Sequence, residues 1–174
     1  MAVVIRAATP ADWQGVVEIF WETTTKRDFA DINARVAFQN RYLETYREQC
    51  VFVAVDGEEV RGYLVGVTDT WGHPEILEQN PHMALFEPFY TRYPAHLHIN
   101  CTEEVRGQGV GGLLLAAFES HLRSTAVCGV HLITSATARN VGFYCKNGYA
   151  HRVERLWQDR PLLLLGKDLV ADNA

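Results

Sequence analysis

Short apolar runs alternate with amphipathic ones along the chain. Val3–Arg6 predicts a first short strand. Thr9-Pro10-Ala11-Asp12 predicts a helix start, with Thr9 as N-cap, Pro10 at the first helical position and Asp12 in the acidic first turn. Trp13, Val16, Val17 and Phe20 follow at helical spacing, so this helix should lay one face on a sheet. Asp31 can cap a second helix, whose buried stripe would be Ile32, Val36, Leu43 and Tyr46, with its aromatics read as core. Val51–Val55 predicts a strand, Asp56-Gly57 a hairpin turn and residues 60–68 the returning strand. Gly62 and Gly66 in that strand point to a bulge or to close packing against a helix.

Residues 69–94 show no clear period, and Pro74, Pro81, Pro88 and Pro94 break any long element. A connection of this length in a compact domain is functional or disordered. Trp71, Phe86, Phe89, Tyr90 and Tyr93 argue for order. Two readings stand side by side: an ordered flap with short helical pieces that walls a pocket, or an excursion that covers an exposed sheet face. His96–Cys101 is the next strand, with Leu97, Ile99 and Cys101 on one face and His96, His98 and Asn100 on the other.

After that strand comes Val105-Arg106-Gly107-Gln108-Gly109-Val110-Gly111-Gly112, then a helix with the stripe Leu114, Phe118, His121 and Leu122. Glycines between a strand and a helix let bare backbone approach an anion, and the helix N-terminus offers unpaired N–H groups and partial positive charge. The bland alternative is a loop that only turns the chain. Val130–Ser135 is a further strand, and Thr137 can cap a short helix running to Lys146, stopped by Asn147-Gly148. Residues 149–157 and 162–165 read as a last pair of strands joined around Asp159-Arg160-Pro161. No repeat, low-complexity tract or linker interrupts this order.

The length of 174 residues suits one domain, and 48% hydrophobic with 21% charged residues is ordinary for a globular protein. A net charge of −5 argues against a nucleic-acid partner. Cys50, Cys101, Cys128 and Cys145 are widely spaced and read as buried free thiols, and the histidines form no ligand cluster, so no metal is expected. No apolar run approaches the ~18 residues of a membrane span, and Met1–Arg6 lacks the pattern of a signal peptide. The expectation is a cytoplasmic protein without a membrane partner; exposed strand edges would suit a homodimer.

Arg106-x-x-Gly109-x-Gly111 between a strand and a helix, in this order of elements, resembles the GNAT superfamily of N-acetyltransferases. Phe143-Tyr144-Cys145-Lys146-Asn147-Gly148-Tyr149 resembles the family's Phe-Tyr-x-x-x-Gly-Phe block, with Tyr149 in the place of the final Phe. Within the superfamily, Tyr93–Asn100 is similar to acetyltransferase-like domains attached to some O-GlcNAc hydrolases. The resemblance implies an α/β (α+β) fold: a twisted mixed sheet flanked by helices, splayed between the fourth and fifth strands, with residues 69–95 as an insertion. It also implies acetyl-CoA as cosubstrate and an amine acceptor. The pyrophosphate would lie on Arg106, Gly107, Gln108, Gly109, Val110, Gly111 and Gly112, and the pantetheine arm along the backbone of Asn100, Cys101 and Thr102. Thr137, Asn140 and Phe143 would be further cofactor contacts. Where the family often has Asn, this chain has Thr137, which can still cap a helix.

Acyl transfer to an amine needs the amine neutral. Freeing a lysine-like amine of pKa ~10.4 at pH 7 costs about 4.6 kcal/mol, so a base is needed. His98 is the first candidate, with His96, Glu103, Glu104 and Asp69 in reserve; a merely packed strand histidine is the alternative. The resemblance places the Tyr144 hydroxyl near the sulfur, where it would protonate the leaving thiolate; packing on the cofactor arm alone is the alternative. Two functions follow: an acetyl-CoA-dependent N-acetyltransferase that uses direct transfer to a primary amine of a small molecule or peptide, or a binding module of the same fold without catalysis.

Overall fold

The computed structural model describes residues 3–169; Met1 and Ala2 of the N-terminal stretch and residues 170–174 lie outside them. In chain order come β1 (Val4–Ala7), α1 (Trp13–Thr23), α2 (Ile32–Tyr42), β2 (Cys50–Asp56) and β3 (Glu59–Val67). They are followed by α3 (Pro74–Gln79), β4 (Ala95–Cys101), α4 (Val110–Ser124) and β5 (Gly129–Ser135). Last are α5 (Val141–Lys146), β6 (His151–Trp157) and β7 (Arg160–Asp168). The strands are ordered β1-β2-β3-β4-β5-β7-β6. β4 and β5 run parallel, in register at Ala95↔Val130 and His96↔His131, the opening residues of β4. The β1–β2, β2–β3, β5–β7 and β6–β7 pairs are antiparallel, which makes the expected mixed, splayed sheet. The chain divides into two compact units, residues 1–66 with 98–118 and residues 67–97 with 119–174.

In the first unit a short 3-10 turn, Pro10–Asp12, leads into α1, which buries Val16, Ile19 and Phe20. Thr9 acts as a donor here: its backbone N–H and Oγ1 reach Asp12 Oδ2 at 2.6 and 2.8 Å, one half of a capping box. Both guanidinium nitrogens of Arg6 also bind this carboxylate, at 2.7 and 2.8 Å. The β2–β3 register moves from Ala54↔Gly62 to Val55↔Val60, which leaves Arg61 as the extra residue of a bulge. Gly62 also meets the expectation of close packing, because Cys101 Sγ and Leu114 Cδ1 lie 2.9 and 3.3 Å from where its Cβ would stand.

The expected stripe of α2 is corrected by the structure. Ile32 and Val36 are 65% and 50% exposed, while Leu43 and Tyr46 are buried but lie beyond the end of the helix. Leu43, at φ −138° and ψ −63°, breaks the helical path and moves those two residues onto a following turn. What α2 presents to α1 is aromatic: Phe38 lies 5.9 Å from Phe20 and 5.4 Å from Phe29, and Trp21 Nε1 donates to Gln39 Oε1 at 2.8 Å.

In the second unit residues 69–94 are ordered, with α3 and a 3-10 helix, Pro81–Phe89, as the helical pieces. Their aromatics cover the sheet. Tyr90 stacks on His131 of β5 at 4.8 Å, His131 Nδ1 donates to Tyr93 O at 2.7 Å, and Phe89 and Tyr93 lie 5.8 and 5.3 Å from His151 of β6. Met83, Phe86, Tyr90 and Tyr93 are buried, so this geometry matches the covering role. β6 and β7 form the expected hairpin, but its turn falls on Gln158 and Asp159, at φ 47° and 61°, and Arg160 and Pro161 belong to β7.

Candidate active site

The glycine-rich loop lies in the first unit. A short 3-10 turn, Glu103–Val105, uses the Arg106 N–H, which donates to Glu103 O at 3.2 Å. The first α-helical bond of α4 is Leu113 N to Gly109 O, 3.1 Å, so Gly109 is the N-cap. The N–H groups of Val110, Gly111 and Gly112 therefore precede the helix's own bonding, at its partially positive end. Gly109 has φ +83°, which an L side chain adopts at a cost, and a Cβ there would meet no protein atom within 4 Å. An open, exposed backbone with oriented N–H groups fits a pyrophosphate. Arg106, Gly107, Gln108 and Gly109 are all exposed, and Gln108 Nε2 holds Glu104 O at 2.6 Å.

At the end of β4 the backbone is partly committed. Thr102 N donates to Arg61 O at 2.9 Å, so that N–H is committed to β3. Consecutive strand residues turn their amides to opposite edges, so the Cys101 amide faces away from β3. Arg106 Nε donates to Cys101 O at 3.2 Å and ties the loop to the strand. The Asn100 side chain donates to the Tyr63 hydroxyl at 2.8 Å, and burial raises that phenol's pKa. Burial pushes the Cys101 thiol up to about 11, which makes it a poor nucleophile at neutral pH.

His98 is half-buried in the same unit, between two tyrosines. Its Nε2 lies 3.1 Å from the Tyr46 hydroxyl, and its ring stands edge-on to Tyr42 at 5.8 Å. His96, although on the same face of β4, is buried. Thr70 Oγ1 donates to Pro94 O at 2.7 Å, so it accepts from His96 Nδ1 at 2.8 Å. Among the other reserves, Asp69 caps its own turn through Trp71 N, Glu104 pairs with Arg61 at 2.6 Å, and Glu103 is exposed.

The second unit carries Tyr144, Phe143, Asn140 and Thr137. The helix starts at Val141, not near Thr137, so Thr137 is not its cap. Instead Ser135 captures it: the Ser135 hydroxyl takes Thr137 N at 3.3 Å and bonds Thr137 Oγ1 at 3.0 Å, which keeps residues 135–138 in a turn. Asn140 is the last residue before α5, and its Oδ1 accepts from Thr134 Oγ1 at 3.4 Å.

The C-terminus of α5 explains the second motif. Gly148, at φ +89°, donates to Cys145 O at 3.1 Å, and Tyr149 N donates to Tyr144 O at 3.1 Å. These are the two bonds of a Schellman motif, and its apolar contact is the Tyr144–Tyr149 ring pair at 5.9 Å. Tyr144 is buried, and Phe143 flanks it at 5.1 Å. The spacing Tyr-x-x-x-Gly-aromatic is thus the chemistry of a helix stop.

With both motifs placed, the comparisons with known proteins can be given. The model of the acetyltransferase (GNAT) family matches residues 13–149. The chain belongs to this family. Among solved structures it is similar to SsHAT, at 23% identity, a TM-score of 0.75 and coverage of 98% of this chain and 100% of that one. It is also similar to YncA from Salmonella typhimurium, solved with its cofactor acetyl-CoA, at 16% identity, a TM-score of 0.62 and coverage of 100% and 98%. A third is the ribosomal-protein-S18-alanine N-acetyltransferase from Escherichia coli, at 13% identity, a TM-score of 0.60 and coverage of 99% of each chain. These likenesses show the shared fold. Among the described residues no helix is long and apolar enough to cross a membrane, and no group of three or more His, Cys, Asp or Glu stands ready to hold a metal ion.

Some residues around these positions had no signal in the sequence. Tyr46 reads as a core aromatic, and nothing local marks its contact with His98 or that of Tyr63 with Asn100. Glu119 was legible: it sits at helical spacing with Leu115, Phe118 and Leu122, a charge on an apolar face.

Proposed function

We propose that this GNAT-family chain is an acetyl-CoA-dependent N-acetyltransferase that passes the acetyl group directly to a primary amine of a small molecule or peptide. The observation that carries the reading is the Gly109-capped start of α4, a set of backbone donors ahead of the helix's own bonding, beside Gly107 and Gly109, where a Cβ would meet no protein atom within 4 Å. YncA, of the same fold, was solved with acetyl-CoA, which supports the choice of donor. Cys101 is half-buried and hard to ionise, which supports direct transfer over an acetylated-thiol intermediate. No observation favours a catalytically silent binding module.

In this reading His98 takes the proton that the acceptor amine gives up, held in orientation by Tyr46 and Tyr42. The amine nitrogen forms its bond to the thioester carbonyl carbon, the C–S bond breaks, and Tyr144 donates its hydroxyl proton to the departing sulfur. With a thiol pKa of ~8.5 and a phenol pKa of ~10, that transfer is uphill by only about 2 kcal/mol. Four free cysteines suit a reducing cytoplasm.

The test is thiol release from acetyl-CoA across a panel of amines and peptides. Tyr144→Phe is expected to lower turnover by about 10- to 100-fold while acetyl-CoA affinity changes little. Full turnover in that variant would remove Tyr144 from the acid role.

A further inference from the structure

α5 has only six residues, Val141–Lys146, too few to hold itself together in water, yet it carries Tyr144. The Schellman motif uses the carbonyls of Tyr144 and Cys145, and Asn147 N reaches Phe143 O. The carbonyl of Asn147, the C-cap, goes to a partner from another element: Lys167 Nζ of β7 donates to it at 2.9 Å. The same ammonium donates to Glu119 Oε2 near the end of α4 at 2.6 Å. Glu119 is buried, its side chain only 6% exposed, and Arg123, one turn on, stands 3.8 Å from the same oxygen. The Lys167 stem runs under Gly148, with Cε 3.2 Å from where a Cβ of that residue would stand, and Nζ lies 5.6 Å from the Tyr149 ring. One lysine therefore bonds the C-cap carbonyl, while its stem runs beside Gly148 and its ammonium stands over the Tyr149 ring.

We infer that the ion pair between half-buried Lys167 and buried Glu119 is a positioning device that clamps the C-terminus of α5 and so fixes Tyr144 for its proton transfer. This rests on the acid role of Tyr144 given above. The chemistry favours the assignment over simple stabilisation. A buried ion pair gives little net stability relative to apolar groups of similar size, whereas a cation at a helix C-terminus both satisfies an orphan carbonyl and opposes the negative end of the dipole. Buried Glu119 holds the Lys167 ammonium in place at 2.6 Å, and Lys167 transmits that fixed position to Asn147. Removing Lys167 alone leaves the buried Glu119 carboxylate with only the longer 3.8 Å contact to Arg123, so a single variant mixes instability with loss of positioning. Replacing both partners by neutral groups separates the two.

The experiment compares the full chain with Lys167→Met and with the Lys167→Met/Glu119→Gln double variant. It reads thermal unfolding, the kcat and KM for acetyl-CoA, and hydrogen exchange of the amides of residues 144–149. Lys167→Met is expected to unfold at lower temperature and to lose activity. The double variant is expected to regain most of the unfolding temperature while its kcat stays about 10-fold down, its KM for acetyl-CoA stays within about twofold and its α5 amides exchange at least 10-fold faster. A double variant with restored stability, wild-type kcat and wild-type exchange would overturn the clamp. The exchange measurement needs no turnover, so it decides on the clamp even if Tyr144→Phe shows the acid role to be wrong. Should the double variant fail to regain stability, Glu119→Gln alone keeps an oxygen for Lys167 and is expected to retain kcat and exchange; a 10-fold loss of either would overturn the proposal.

Discussion

Asp12 accepts from Arg6 through both guanidinium nitrogens and from Thr9 through its backbone N–H and its hydroxyl. The Arg6 guanidinium, with those Thr9 donors, holds the carboxyl well below the usual carboxylate range. A depressed folded value means that the stabilisation is fully present above the unfolded value of ~3.9 and is lost as pH falls through the folded one. Asp12→Asn is therefore predicted to cost about 2 kcal/mol at pH 7, and the gap to the wild type should narrow steadily below pH ~4. Chemical denaturation at pH 7 and pH 3 checks this, and an equal gap at both would contradict it. The importance of Asp12 was half legible: first-turn acidity is a sequence signal, but the reach of Arg6 across from β1 is not. His98 shows the same divide. Its place on the polar face of β4 follows from strand alternation, whereas its contact with Tyr46, 52 residues earlier in the chain, depends on tertiary structure alone.

At the scale of elements, capping and turn chemistry decided which expectations held. The glycine loop, the Asn147-Gly148 stop and the Asp56-Gly57 turn were readable because each demands a residue type at a fixed offset. Thr137 and the α2 stripe misled for a common reason: a local signal had a competitor nearby. The Ser135 hydroxyl holds Thr137 in a turn, and Leu43 ends α2 before its apolar residues can form one stripe. The segment 69–94 gave order from its aromatic content, but which surface it covered could not be read without β5 and β6 beside it. Tyr90 should be central to that contact: buried, stacked on His131, it donates to Met83 O at 2.6 Å. Tyr90→Ala is predicted to destabilise the protein by about 3–5 kcal/mol, measurable by urea denaturation. A loss below about 1 kcal/mol would mean that the segment is not part of the cooperative core.

For the whole chain, the net charge of −5 opposes the approach of a phosphate-bearing ligand, so affinity for acetyl-CoA has to come from a local receptor. In the proposed reading the backbone donors at the start of α4 would form such a receptor, and they would need no cationic side chain to act. Family membership and fold could be read from two short motifs because each encodes backbone geometry: one opens a helix and the other closes one. The acceptor leaves no comparable mark. In the proposed reaction the acceptor would meet the His98, Tyr46 and Tyr42 group of the first unit, a set brought together by tertiary structure and not by a local motif.

The most direct measurement is calorimetric titration of acetyl-CoA into the wild-type chain and into Gly109→Asp, with thermal unfolding run on both to establish that each is folded. The account predicts one binding site in the wild type and no measurable binding in the variant, whose carboxylate would occupy and repel the pyrophosphate position at the N-terminus of α4. A wild-type chain that takes up no acetyl-CoA, or a folded variant that binds it with unchanged affinity, would contradict it.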